Sequence, residues 1–184
     1  MNITVTEFRK LFPDIARHCD EKGLTALLNA MEQKQVKKGE VVVREGEHSS
    51  ELYLVQDGEL ATSLSGNGQT VDMGTITAGH TICKRNLLDP GPATVTATAV
   101  TEAQLLVLSQ AAFRALEQQD LKMTGNLLRM LSDELIELCS NADRILFNRS
   151  SGIVEEEEQA SPSGLKTWAA KVYRSLQTQR SERP

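Results

Sequence analysis

The chain is poor in the features that announce the commonest chemistries. It has three cysteines, Cys19, Cys83 and Cys139, with no CxxC pair and no Cys/His cluster at metal-ligand spacing, so no metal site or cofactor is expected. An odd, scattered set of thiols fits a reducing, cytoplasmic compartment rather than a disulfide-stapled secreted domain. No apolar run approaches the ~20 residues that cross a bilayer. The start, Met1-Asn2-Ile3-Thr4, has neither a basic nor an apolar leader region, so no secretory signal is expected. Basic charge is not in excess: 20 Lys and Arg stand against 25 Asp and Glu, a formal net charge of -5. That balance weighs against a nucleic-acid surface, which needs clustered cations. No nucleophile–base arrangement and no paired carboxylates in a plausible cleft are visible, so no catalytic residue is assigned and no enzyme is expected.

What is present is ordinary for one folded domain with a smaller appendage: 184 residues, 40% hydrophobic and 24% charged. Residues 4–33 read as helical. Thr4 and Glu7 have capping-box spacing, and Phe8, Leu11, Phe12 and Ile15 recur at helical intervals. Gly23 interrupts, and Leu24, Leu27, Leu28 and Met31 form a second amphipathic run. From residue 35 the pattern changes to short β-branched and apolar runs at Val41–Val43, Leu52–Val55, Leu60–Leu64, Thr70–Ile76, Thr94–Val100 and Gln104–Leu108. Turn residues such as Asp57-Gly58, Gly66-Asn67-Gly68 and Asp89-Pro90-Gly91-Pro92 separate them. Many short strands at this spacing predict an all-β sandwich or barrel.

Residues 79–95 narrow the choice. Gly79, Leu87, Leu88, Pro90, Ala93, Thr94 and Val95 match the pattern Gly-Asp-x-Phe-Gly-Glu-x-Ala-Leu-Leu, a short gap, then Pro-Arg-x-Ala-Thr-Val. This resembles the phosphate-binding cassette of cyclic-nucleotide-binding domains, the family of the bacterial catabolite activator protein and the kinase regulatory subunits. Gly39 to Glu47 and Leu52 to Leu60 are similar to two further motifs of that family. The resemblance spans roughly residues 20–147. It implies a mainly β fold, an eight-stranded jelly-roll barrel with flanking helices, whose cassette helix lies across the barrel mouth. The expected organisation is N-terminal helices over 1–34, barrel and long helix over 35–147, an acidic Ser/Pro/Gly linker over 148–164 and a basic amphipathic tail helix over 165–179.

The resemblance also implies where a ligand would bind: Gly79, Ile82, Cys83, Lys84, Arg85, Asn86, Leu87, Gly91, Pro92, Ala93 and Thr94. Two of the family's ligand contacts are missing. Its ribose-binding Glu falls on Lys84, whose ammonium has no acceptor. Its phosphate-binding Arg falls on Gly91, which cannot supply a guanidinium fork. Each charge-assisted bond of this kind is worth about 1.5–3 kcal/mol, so cyclic AMP or cyclic GMP is not expected to bind in the usual mode. The favoured reading is a vestigial pocket, its space filled by Ile82, Cys83 or the Pro90–Pro92 turn. The alternative is an anion sensor in which Lys84 and Arg85 hold a cyclic dinucleotide or another phosphate. Cys83 stands where the family has Gly, and His80 where it has Asp. A small buried thiol is preferred over a redox or haem role.

After the barrel, Ser109 is a candidate N-cap for a helix bearing Phe113 and Leu116. A longer helix is predicted over 121–146, where Leu128, Leu131, Leu135, Leu138, Ala142 and Ile145 form a heptad seam. In the family's bacterial transcription factors the equivalent helix pairs two protomers, so a homodimer is expected; the alternative is packing on the chain's own barrel. The linker and one short helix that follow fall short of a three-helix DNA-binding module, so DNA binding is not expected. Glu155 to Glu158 reads as a solvating spacer. In the tail, Trp168, Val172, Tyr173 and Leu176 share one face of a helix with basic neighbours. That face suits either an acidic partner or membrane surface, or a groove on the same protein. The expected function is a non-catalytic regulatory adaptor with an unidentified protein partner.

Overall fold

A capping box opens the fold. The Thr4 amide donates to Glu7 Oε2 at 2.8 Å and the Glu7 amide donates to Thr4 Oγ1 at 3.2 Å, which satisfies two of the free amides of helix α1 (Val5–Leu11). The computed structural model describes residues 3–66, 69–120 and 123–132. The periodic run does not continue as one helix. Pro13 disfavours helical geometry at Phe12, which sits at φ -122°, ψ 63°. Pro13 then starts a second short helix, α2 (Pro13–Ala16). Asp20 caps α3 (Glu21–Ala30) by accepting from the Gly23 amide at 2.7 Å. Gly23 was expected to interrupt a helix and instead lies inside α3. Its value is close packing: a Cβ there would meet Met123 Cγ at 2.8 Å. Met31 falls at the C-cap of α3, outside the helix.

Among the described residues ten strands follow, where eight were expected: β1 (Glu32–Val36), β2 (Val41–Val43), β3 (His48–Ser49), β4 (Glu51–Asp57), β5 (Glu59–Gly66), β6 (Gln69–Thr77), β7 (Thr81–Ile82), β8 (Gly91–Pro92), β9 (Thr96–Ala99) and β10 (Ala103–Ser109). They form two four-stranded sheets, β1-β10-β4-β7 and β2-β9-β5-β6, and a two-stranded ribbon, β3-β8. The sheets face each other without closing into a barrel. The strands that went unread are β1, which is polar except for Val36, and the two-residue pieces β3, β7 and β8. The β region begins at Glu32, three residues before the expected change of pattern, and β9 is shorter than the expected Thr94–Val100.

The first sheet is the middle layer. Along β4, Leu52 and Leu54 point to a cluster that contains Phe8, Phe12, Leu24 and Leu27 of the helices. Tyr53 and Val55 point the other way, into the space between the sheets, with Val43, Leu60, Ala97 and Leu105. Burial on both faces explains why β4 and β10 read as nearly continuous apolar runs. Ser109 caps α5 (Gln110–Gln119), accepting from the Ala112 amide at 3.1 Å, and Phe113 and Leu116 of α5 are buried as expected.

Residues 123–132 form a further helix, α6. Asp120 accepts from the Met123 amide at 3.0 Å, and Asn126 ties α6 to the N-terminal helices by donating to the His18 carbonyl at 3.1 Å. Leu131 is 1% exposed and lies in this chain's own helical cluster, while Leu128 is partly buried beside it. Of the predicted seam, Leu135, Leu138, Ala142 and Ile145 lie outside the described residues. So do the linker 148–164 and the tail residues Trp168, Val172, Tyr173 and Leu176. Among the described residues no helix is long and apolar enough to cross a membrane.

Candidate functional site: the cassette and the strands beneath it

The cassette starts at a turn that needs glycine. Gly79 has φ +87°, and a Cβ would stand 2.9 Å from the Leu11 carbonyl oxygen. This turn carries the chain from β6 of one sheet to β7, which pairs with β4 of the other, with Ile82 opposite Tyr53. Ile82 is buried in the space between the sheets. Cys83 follows at φ 64°, ψ 29°, the one positive-φ residue other than glycine among those described. Left-handed backbone costs a residue with a Cβ roughly 1–2 kcal/mol. The family's Gly at this position therefore has a visible reason, and Cys83 occupies the same conformation at a cost.

Cys83 caps helix α4 (Lys84–Leu88) without a side-chain hydrogen bond. Its thiol packs against the interior cluster. Burial pushes the Cys83 thiol up to about 11; the Glu51 charge adds to the rise, while the Ser49 hydroxyl and the Arg85 charge oppose it. The thiol is therefore neutral at physiological pH, the reverse of a reactive cysteine. Ser49 Oγ is buried and makes no hydrogen bond of ordinary geometry. Tyr53 donates its hydroxyl to Glu51 Oε2 in a short hydrogen bond. Burial, then the Glu51 bond, hold the Tyr53 phenol well above its usual range.

The second arm of the cassette, Gly91–Pro92, pairs with β3. Two side chains of α4 reach across to it. Asn86, 2% exposed, donates through Nδ2 to the Gly91 carbonyl at 2.9 Å and to the Ser49 carbonyl at 3.4 Å. Arg85 donates through Nη2 to the Pro92 carbonyl at 2.9 Å, and its Nη1 lies 3.7 Å from Asp89 Oδ2. Of the expected ligand-binding positions, the structure thus brings Cys83, Arg85, Asn86, Gly91 and Pro92 together. Lys84 is partly exposed on α4. Leu87 turns to the helical cluster, not to the interior. Ala93 is buried and exchanges backbone hydrogen bonds with Gly46 and Glu47, both at 2.8 Å, whereas Thr94 is exposed.

Cavities of about 240 and 170 Å³ lie away from the inner side of the cassette. The larger is lined by Ile3, Leu28, Asn29, Met31, Gln33 and Leu106; the smaller touches only the outer residues Leu87 and Leu88 of α4, with α5 and Leu128. Cys83 packs against the cluster that contains Tyr53, Ile82 and Val55. Sequence reasoning missed Ser49, Glu51 and Tyr53. The period-2 alternation Glu51-Tyr53-Val55 was the signal that puts Glu51 and Tyr53 on one face of β4.

This geometry has relatives. Residues 33–120 match the family described as the cyclic nucleotide-binding domain. A cAMP-dependent protein kinase regulatory subunit from Blastocladiella emersonii is 33% identical over 99 residues, 53% of this chain and 25% of that protein. The chain thus spans about a quarter of that relative's length. The N-terminal domain of a transcriptional regulator from Streptomyces coelicolor A3(2) is 25% identical and aligns at TM-score 0.63, covering 73% of this chain and 94% of that one. A cyclic nucleotide-binding domain from Methylobacillus flagellatus KT aligns at TM-score 0.65 with 19% identity, covering 84% of this chain and 88% of that one, which is a likeness of fold. The two facing sheets, the left-handed Gly79 turn and helix α4 all lie in or beside this matched span, and residues 33–120 belong to the cyclic nucleotide-binding domain family.

Proposed function

We propose that this protein is a non-catalytic regulatory module that acts through protein–protein contacts, as a homodimer, without binding cyclic AMP or cyclic GMP in the usual mode. One observation carries the reading: the cassette is bridged by its own side chains. Asn86 and Arg85 hold the Gly91 and Pro92 carbonyls, each at 2.9 Å, so contacts within the chain join the two arms. The side-chain chemistry agrees. Lys84 offers a donor where the ribose hydroxyls need an acceptor, and Gly91 offers no fork for a phosphate. Tyr53 and Ile82 fill the interior beneath.

A second reading has its own support. Arg85 Nη2 lies 4.0 Å from where a Cβ of Gly91 would stand, so a guanidinium sits close to the position that lacks one. An anion sensor for a cyclic dinucleotide or other phosphate would use it. The deciding experiment is calorimetry and thermal shift of the full chain against cyclic AMP, cyclic GMP, cyclic dinucleotides and simple organic phosphates. A ligand that binds only the folded state raises the melting temperature by mass action. The ligand-independent reading expects no shift with any of them. A saturable shift that disappears in Lys84→Ala or Arg85→Ala overturns it in favour of the sensor.

A further inference from the structure

The larger cavity, about 240 Å³, opens between the N-terminal helices and the edge strand β1, lined by Ile3, Leu28, Asn29, Met31, Gln33 and Leu106. Leu106 is 2% exposed and stands opposite Gln33 in the β1–β10 register. Ile3, Leu28 and Met31 are apolar walls, only partly buried. None of the six lining residues is charged. Glu32 and Lys34 alternate to the other face of β1, since their register partners Val107 and Leu105 belong to the cluster between the sheets.

Size and polarity describe the occupant. Small-molecule sites run to about 300–1,000 Å³, so this cavity suits one large side chain. It stands at the C-terminal end of α3, whose last turn has no basic residue. The last carbonyls of a helix lack intrahelical donors and carry partial negative charge. Glu7 adds a carboxylate near Ile3, accepting from the neighbouring Thr4 amide at 2.8 Å. The fitting occupant is a large apolar side chain with an N–H donor, on a basic segment. This chain carries one: Trp168, its only tryptophan, with Lys166, Lys171 and Arg174 around it. Leu165, Trp168, Val172 and Leu176 recur at helical spacing, the pattern of a helix laid in a groove. Residues 133–164 separate α6 from this segment, and as a coil they reach roughly 30 Å, about the diameter of a small domain. The smaller cavity beside α4 is rimmed by both signs, Arg114 and Glu117, and gives a basic segment no preference.

We propose that this groove docks the chain's own segment 165–179, with the Trp168 indole in the cavity and its N–H on the acceptors at the end of α3. The docking goes beyond the ligand-independent reading and does not depend on it. Its consequence for regulation is exclusion: the face that docks is the face a protein partner would take, so the two compete.

Trp168 makes the full-length protein its own reporter, because indole emission moves to the blue as the ring leaves water. Wild type is expected to emit to the blue of the urea-unfolded protein. Leu28→Lys removes an apolar wall and adds a cation, so its emission should move to the unfolded position while circular dichroism stays native. Leu88→Lys, the same change at the smaller cavity, should emit like wild type. Asn29→Lys/Gln33→Lys alters two exposed positions and tests the groove even where Leu28→Lys fails to fold. It is expected to lower the docked-to-free ratio about threefold per cation, read by acrylamide quenching. Wild-type emission at the unfolded position overturns the proposal. So does blue emission that both groove variants leave unmoved, or that Leu88→Lys moves as far. Blue emission gained only with phosphatidylserine vesicles would assign the segment to a membrane instead. Mixing Leu28→Lys with Trp168→Phe tests the remaining occupant: recovered blue emission would seat the segment on a second copy and overturn docking within one chain. Cyclic AMP binding by wild type would end the ligand-independent reading and leave each of these outcomes as it stands.

Discussion

The cassette contains two left-handed turns four residues apart, and they have been treated differently. Gly79 at φ +87° remains glycine, and a Cβ there would meet the Leu11 carbonyl oxygen at 2.9 Å. At φ 64°, Cys83 carries a side chain that packs against the interior cluster. The difference is what lies around each Cβ. At Gly79 both the backbone angle and the neighbouring backbone exclude a side chain. At Cys83 only the angle resists, at a cost of roughly 1–2 kcal/mol, and the interior has room for a small thiol. The first turn admits no side chain, whereas the turn at Cys83 admits a small one.

Gly79→Ala tests the rigid side of this comparison and should give the largest effect. Left-handed strain and overpacking against a backbone oxygen together predict a loss of about 2–4 kcal/mol, measured by urea unfolding. A loss below 1 kcal/mol would mean that the turn relaxes, and the contrast with Cys83 would collapse.

Asn86→Ala comes next. Asn86 is the bridge between α4, β3 and β8. Its removal leaves the Gly91 and Ser49 carbonyls without that donor, a cost of about 2 kcal/mol for groups this buried. Amide exchange should quicken along β8 and α4 but not in β4 or β10. Uniform loss of protection would show that the cassette does not open separately from the sheets.

How much of this was legible in the sequence follows the same division. Gly79, the Ser109 cap and the Thr4–Glu7 box were readable because each depends on local backbone chemistry. The strands β4 and β10 were readable because both faces are buried and their apolar runs are long. The polar edge strand β1 and the two-residue strands β3, β7 and β8 were not, since they are defined by partners distant in sequence. In the site, the loss of contacts at Lys84 and Gly91 was visible residue by residue. The replacement was not. Asn86 meets the Ser49 and Gly91 carbonyls only after β3 and β8 pair.

A titration in base separates the buried thiols from the turns that carry them. Burial raises both Cys83 and Cys19 from an ordinary value of 9.0 to about 11. Their folded-state pKa values lie above the unfolded ones, so the neutral thiol is favoured by folding. That contribution is fully present below pH ~9 and is lost as pH rises towards ~11, because the unfolded chain releases its protons first. Stability should therefore fall across this window by on the order of 1–2 kcal/mol per thiol. Cys83→Ala should flatten part of the fall. An unchanged profile in that variant would place the effect at Cys19 and at the Tyr53 phenol.

The smallest expected effect is that of Cys83→Gly, and it reaches furthest into function. Relief of left-handed strain should return about 1–2 kcal/mol. Against it stand the flexibility of glycine, about 0.5–1 kcal/mol, and the lost burial of one methylene and the thiol, about 1 kcal/mol. The sum should lie within about 1 kcal/mol of zero by the same urea measurement. A loss above 2 kcal/mol would make the thiol a structural plug rather than a tolerated replacement. In either case Cys83→Gly should not confer binding of cyclic AMP. The restored turn changes only backbone freedom, while the acceptor missing at Lys84 and the fork missing at Gly91 remain missing, and Asn86 and Arg85 still bridge the arms. Binding gained by this one substitution would mean that Cys83 alone had closed the pocket. The direct test is calorimetry of Cys83→Gly beside wild type with cyclic AMP, where flat titrations for both would locate the loss of ligand in the side chains at Lys84 and Gly91.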